Sequence, residues 1–346
     1  LNLLLSMIQS QLRLVFLFTN FNKTPTMKKV LKVIAWLLGI ALLIVAGVAA
    51  WINFAPAPVY DPPTIPDLKV EVTPERIAQG AKIASMQCII CHTGSDGRLS
   101  GQQLKDSPKS FGKFYSANIT KHPDRGIGKW TDGEIYYFLR TSLRKDGRFA
   151  SPAMPKFPKA TDEDLYSVIA WLRSDDQRLE PSDRGSHPQE LTFLAKGLMK
   201  FVFKPYPFPT QPIALPDTTN AVELGRYLAT GLYGCYDCHS ADFATNNALE
   251  PEKSVGFFGG GNPMLDMEGN VMPSANISPD PETGIGSWTE EQFVQTVKHG
   301  RRPDGTSIRY PMLPHTPLTD GEVKAIYAYL RTVPPIKNKV DRPVFD

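Results

Sequence analysis

The sequence predicts a mainly α-helical protein, with two tandem copies of one domain behind a single amino-terminal transmembrane helix. Three observations predict it. Val33 to Ile52 is a 20-residue apolar run without a charge. Beyond it the chain repeats itself at an offset of 158 residues. Helix-capping signals open the periodic segments of both copies, whereas strand-like alternation is nearly absent.

At about 100–200 residues per domain, a chain of 346 residues has room for two domains. Apolar residues make up 42% and charged residues 21%, which excludes a wholly disordered chain. The net charge is +3, unevenly placed: residues 1–54 hold Arg13, Lys23, Lys28, Lys29 and Lys32 and no acid. The remainder carries 33 basic against 35 acidic residues, so no nucleic-acid partner is expected. Four cysteines exclude a disulfide-dense secreted scaffold.

The apolar run is long enough for the bilayer core, at about 1.5 Å per residue over about 30 Å. Lys28, Lys29 and Lys32 precede it, which directs the carboxy-terminal bulk out of the cytoplasm. A cleaved signal peptide, cut near Val48-Ala49-Ala50, is the competing reading, but its apolar region is normally about 7–15 residues. An uncleaved, single-pass anchor over 27–54 is therefore expected. Residues 1–26 read as an upstream, non-native start, because Met27-Lys28-Lys29 looks like a natural beginning. A first membrane helix over Leu1–Phe21 is weakened by Arg13 in its middle. The Pro-rich linker 55–72 should be stiff, its first part lifting the following domain up to about 35 Å from the membrane.

The repeat is read residue by residue. Ser116-Ala117-Asn118-Ile119 matches Ser274-Ala275-Asn276-Ile277, and Gly126-Ile127-Gly128-Lys129-Trp130 matches Gly284-Ile285-Gly286-Ser287-Trp288. Asp146-Gly147, Met154, Thr161-Asp162 and Leu172-Arg173 find Asp304-Gly305, Met312, Thr319-Asp320 and Leu330-Arg331. Upstream, Cys88 matches Cys235 at an offset of 147, so the second copy has 11 extra residues, expected at Gly256–Pro263. The domains are thus 73–180 and 218–346, joined by a linker over 181–217. Thr73-Pro74-Glu75 opens the first helix. Thr131 with Glu134, Thr289 with Gln292, Thr161 with Asp164 and Thr319 with Glu322 open later ones. Gly80 and Gly225 should let the last helices cross closely. Leu191–Phe203 reads as a short amphipathic helix packing between the domains, ahead of membrane contact.

Cys88-Ile-Ile-Cys91-His92 and Cys235-Tyr-Asp-Cys238-His239 are both C-x-x-C-H, the covalent c-type haem attachment signature. Two thiols one helical turn apart can each add to a vinyl group of one porphyrin, and the next residue then offers imidazole to the iron. A zinc ribbon needs its pairs about 15–20 residues apart; here they are 147 apart. A thioredoxin-like pair would need a βαβ context. Two covalently bound haem c groups are therefore expected, with His92 and His239 as axial ligands. Met154 and Met312 are the candidate sixth ligands, because they are equivalent and framed by Pro152, Pro155, Pro311 and Pro314. His315 is a rival to Met312; His122, His187 and His299 read as surface or supporting histidines. Trp130 and Trp288 should wall the haem sites. No catalytic residue is assigned.

These motifs resemble class I cytochromes c. The repeated Ser-Ala-Asn-Ile, Gly-Ile-Gly-x-Trp-Thr, Arg-x-Asp-Gly and methionine segments, with Tyr-Leu-Arg-Thr-Val-Pro-Pro near the end, are similar to the cytochrome c subunits of bacterial membrane-bound alcohol and gluconate-type dehydrogenases. The resemblance implies two tandem cytochrome c-type haem domains tethered to the bacterial cytoplasmic membrane on its periplasmic side. It implies an electron carrier between a dehydrogenase or quinol-linked donor and a terminal acceptor such as an oxidase. The alternative is a dihaem enzyme, peroxidase-like, or a haem gas sensor, either of which needs an exchangeable iron position.

Overall fold

The computed structural model describes residues 25–150 and 153–341. Most of the expected upstream segment, and the rival membrane helix over Leu1–Phe21, lie outside the described residues. The chain divides into two units between Pro56 and Ala57.

The first unit is described by α1, Pro25–Phe54. Within it Met27–Phe54, 28 residues, is long and apolar enough to cross a membrane.

The second unit opens with the Pro-rich segment, which is not a free spacer. Tyr60 N–H donates to the Gly147 carbonyl at 2.9 Å, and Val59 bridges Arg148. Val70 N–H donates to Asp132 at 3.0 Å. The segment keeps the extended form that proline imposes, but its remaining backbone groups find partners on the first copy. Glycine admits it: a Cβ on Gly147 would lie 2.0 Å from the Tyr60 carbonyl oxygen, and one on Gly133 2.0 Å from that of Pro66.

The first copy contains α2 (Pro74–Gln87), α3 (Ile89–His92), α4 (Asp132–Thr141) and α5 (Asp162–Arg173). The second contains α7 (Ala221–Arg226), α8 (Cys235–His239), α9 (Glu290–His299) and α10 (Asp320–Leu330). Between them lies α6 (Phe193–Phe201). Thr73, Thr131, Thr161, Thr289 and Thr319 all cap as their sequence patterns predict, with full capping boxes at Thr131, Thr289 and Thr319.

Helices α2 and α5 cross at Gly80, where a Cβ would lie 1.9 Å from the Ser167 carbonyl oxygen. Helices α7 and α10 cross at Gly225, where it would lie 1.8 Å from the Ala325 carbonyl oxygen. Ser167 and Ala325 are equivalent positions, so both copies use the same backbone-to-backbone approach. Ten residues separate Gly225 from Cys235, against eight between Gly80 and Cys88. The surplus is absorbed by a π-helical stretch, Tyr227–Leu232.

Strands are short: β1 (Gln103–Leu104), β2 (Gly112–Tyr115) and β3 (Glu190–Leu191) form one antiparallel sheet, and β4 (Pro263–Leu265) pairs with β5 (Val271–Pro273). The insertion in the second copy is not at Gly256–Pro263. Gly101 N–H donates to the His92 carbonyl, and Gly260 N–H to that of His239. Ile119 N–H likewise donates to Leu99 where Ile277 donates to Phe258. Phe258 and Gly260 are therefore core counterparts of Leu99 and Gly101. Gly260 lies 21 positions after His239, against nine for Gly101 after His92, so the 12 added residues fall within Ser240–Val255, with its two 3₁₀ turns.

Helix α6 forms as its pattern predicts, and among the named elements it packs chiefly on β3 and on the 3₁₀ turn Lys109–Phe111 of the first copy. The linker after it also lies on the first copy: Asp162 N–H donates to the Ile213 carbonyl, and Phe208 stacks on Tyr137 at 4.8 Å. The two copies meet directly. Lys82 pairs with Glu322 at 2.5 Å, and Thr161 N–H donates to the Tyr227 hydroxyl at 3.0 Å.

Candidate functional site

Helix α2 ends at Cys88, whose N–H donates to Ala84, and the chain turns directly into α3. That short helix places Cys88, Cys91 and His92 together on one cavity of about 740 Å³, a volume in the usual range for a cofactor site. The same cavity is walled by Trp130, Ile135 and Leu139 and by Met154 from the loop before α5. Cys88, Cys91, His92 and Met154 thus lie on one lining, although 66 residues separate Cys88 from Met154. Pro152, expected to frame Met154, lies outside the described residues.

The histidine ring is fixed from behind. His92 Nδ1 lies 2.7 Å from the Ala117 carbonyl oxygen, and His239 Nδ1 lies 2.8 Å from that of Ala275. A carbonyl can only accept, so Nδ1 carries the proton and Nε2 carries the lone pair that a metal would use. Ala117 and Ala275 sit inside the repeated Ser-Ala-Asn-Ile segments. The neighbouring asparagine secures each segment. Asn118 donates to the Ser182 and Arg184 carbonyls, and Asn276 to that of Ile336, so each copy ties the acceptor to the chain that follows its last helix. The repeat was visible in the sequence; its purpose was not, because it depends on a carbonyl.

Burial raises the Cys88 thiol to about 12, with a further push from Cys91, and raises Cys235 and Cys238 to about 12 as well. Such an apolar setting suits a thioether and disfavours thiolate ligation of zinc. Among the described residues no three His, Cys, Asp or Glu side chains converge as a metal-binding group. The cavity, the thiols and the oriented imidazole fit a covalently held porphyrin. Arg144 and Arg148 also line the cavity, and Arg144 lies 5.6 Å from the Trp130 ring centroid. Burial lowers the Arg144 pKa, and Arg148 adds to that effect.

Trp130 walls the cavity as predicted. His187 also lines it and packs on Tyr115 at 5.2 Å. His122 bonds Asp183 at 3.1 Å on the surface, and His299 is exposed at the end of α9. His315, the rival to Met312, has Nδ1 2.7 Å from the Leu313 carbonyl oxygen.

The methionine segments reach across to the other copy. Tyr310, two residues before Met312, donates to Asp106 at 2.6 Å, and Asp106 in turn bears on Cys91. Lys156, two residues after Met154, faces Asp237, which lies between Cys235 and Cys238. Burial lowers Lys156 to about 8 and raises Asp237 to about 6, while their attraction opposes both shifts.

Comparison with known proteins gives the same picture. Residues 75–172 match the family of cytochrome c oxidase, cbb3-type, subunit III. The chain is 31% identical over 281 residues to the cytochrome c subunit of quinone-dependent alcohol dehydrogenase from Komagataeibacter europaeus, covering 75% of this chain and 56% of that protein. Residues 75–172 form a cytochrome c domain. The chain is also 32% identical over 276 residues to the fructose dehydrogenase cytochrome subunit of Gluconobacter japonicus, covering 75% of the chain and 52% of that subunit. A diheme cytochrome c-type protein of Cereibacter sphaeroides is 28% identical over 314 residues, covering 86% of the chain and 98% of the relative. The chain spans about half the length of the dehydrogenase-associated relatives. A cytochrome c domain implies covalently bound haem c.

Proposed function

We propose that this cytochrome holds two haem c groups, one in each of the tandem domains 73–180 and 218–346, and transfers electrons without a substrate site of its own. Cys88 and Cys91 would hold the first group and Cys235 and Cys238 the second. His92 with Met154, and His239 with Met312, would be the axial ligands. The observation that carries this reading is the pair of equivalent hydrogen bonds, His92 to Ala117 and His239 to Ala275. Each fixes one imidazole tautomer and one ring plane beside a Cys-x-x-Cys pair.

Haem c supplies a one-electron iron couple. The chain's part is to exclude water with the apolar walls, to hold the imidazole rigid, and to set cations against carboxylates of the group. Arg144 is suited to the last task, and Arg302 is its equivalent in the second copy. Methionine opposite histidine favours the ferrous state and raises the potential. The names of the relatives support a dehydrogenase or quinol-linked complex as donor. Helix α1 supports a single-pass tether that leaves the haem domains on the periplasmic side.

Mass spectrometry of the holoprotein should show two haem additions. Cys88→Ala with Cys91→Ala, or Cys235→Ala with Cys238→Ala, should each remove one. Met154→Ala should lower one potential and open one site to carbon monoxide; Met312→Ala should do the same at the other. If Met312→Ala changes neither potential, His315 or another group is the ligand there. Carbon monoxide binding by the wild type would favour an enzyme or sensor.

A further inference from the structure

Helix α6 lies outside the duplicated unit, and no counterpart follows α10 among the described residues. Its inner face buries Ala195 and Met199. Its outer side is nonetheless apolar: Phe193 is 51% exposed, Leu194 50%, Phe201 58% and, at the carboxy-terminal cap, Val202 60%. Exposure of large apolar side chains on one continuous surface marks an interaction site. The helix is preformed, because the Thr192 hydroxyl caps Ala195 N–H and β3 pairs with β2 immediately before it.

The charges identify the occupant. Residues 191–204 contain Lys196, Lys200 and Lys204 and no acid; Lys204 is exposed, Lys196 half-buried and Lys200 buried. Glu190, just before, is paired with Lys113 at 2.8 Å. The 3₁₀ turn against which α6 packs adds exposed Lys109. Exposed phenylalanine and leucine, with exposed Lys204 and Lys109 close to them in the chain and in the packed turn, is the composition of a surface lying in the interface of an anionic bilayer. The same chain carries α1, a helix able to cross that bilayer. We infer that α6 is a second, peripheral membrane contact, with Phe193, Leu194, Phe201 and Val202 entering the headgroup region of anionic phospholipid. Gly185–Gln189, which wall the haem cavity, run directly into β3 and α6, so this contact would hold the wall of the first site at the lipid surface.

This inference rests on the membrane reading of α1, and one experiment separates the two. Full-length holoprotein is reconstituted into vesicles of phosphatidylethanolamine and phosphatidylglycerol carrying a photoactivatable phospholipid, then irradiated and mapped by peptide mass spectrometry. The expected result is lipid adducts on both the α1 peptide and the 193–202 peptide. A double variant, Phe193→Asp with Phe201→Asp, should lose the second adduct and keep the first, with both haem additions and the visible spectrum unchanged. Adducts on α1 alone in the wild type would overturn the proposal and leave the tether standing. Adducts on neither would remove both readings. In native membranes, cross-links from 193–202 to another polypeptide or to a second copy, without lipid adducts, would assign the surface to a protein instead.

Discussion

The two copies solve one problem with one set of devices and then diverge at their surfaces. Both cross their first and last helices at a glycine, cap with threonine, and orient a motif histidine through an alanine carbonyl. The first copy is then covered, by the Pro-rich segment on one side and by α6 and its linker elsewhere. The second is lengthened within Ser240–Val255 instead. Equivalent positions therefore have different surroundings. Gly147 lies under the Tyr60 carbonyl, while a Cβ on Gly305 would meet nothing within 4 Å. Arg140 is fully buried, whereas its equivalent Lys298 keeps 15% of its side chain exposed. The lesson is that the site-building contacts are common to both copies, while the energy of the shell is local to each.

The largest expected contrast is at those two cations. Arg140 pairs with Asp162 and also donates to the Phe157 and Ala160 carbonyls. Lys298 pairs with Asp320, whose side chain is 66% exposed. Arg140→Ala should cost about 3–5 kcal/mol, since it leaves the half-buried Asp162 carboxylate without its cation, though still with the Tyr136 hydroxyl, and takes a donor from two buried carbonyls. Lys298→Ala should change stability little, as for an exposed pair. Denaturant unfolding of the two variants checks this; comparable losses would break the comparison.

A smaller contrast concerns the turn glycines, both at positive φ, 77° at Gly147 and 82° at Gly305. Alanine carries a left-handed penalty of about 1–2 kcal/mol at either position. Only Gly147→Ala also meets the Tyr60 carbonyl, adding roughly 1–3 kcal/mol of overpacking. It should have the lower melting temperature of the two. Equal values would mean that the Pro-rich segment lifts away at no cost.

The smallest contrast is a pH effect confined to the first copy. Asp176 is held down to about 2, chiefly by its hydrogen bonds from Arg178, with help from the Trp171 indole N–H. The equivalent residue in the second copy is Pro334. The folded value lies below the ordinary carboxylate value of about 3.9, so the unfolded chain binds more protons in between. The contribution is complete above about pH 4 and is lost as pH falls through about 2. Stability measured across that window should fall less steeply in Asp176→Asn than in the wild type. Parallel curves would show that the Arg178 pair contributes nothing.

Much of this protein was legible in its sequence. Capping by threonine, glycine crossings and the Cys-x-x-Cys-His frame are short-range chemistry, written at fixed spacings that survive duplication. The apolar length of α1 is likewise a property of composition. What needed the tertiary structure were contacts made by backbone groups, which have no letter in a sequence. Ala117 and Ala275 act through carbonyls, so alanine gives no hint of the role. The Pro-rich segment reads as a spacer until its N–H groups find Gly147 and Asp132. The insertion was misplaced at Gly256–Pro263 because Gly and Phe look like added loop; the ladder to His239 and Ile277 makes Phe258 core. The amphipathic pattern of α6 correctly predicted a helix, but periodicity cannot say what the apolar face meets or which residues end up buried. Only packing against β3 and the Lys109–Phe111 turn decided that.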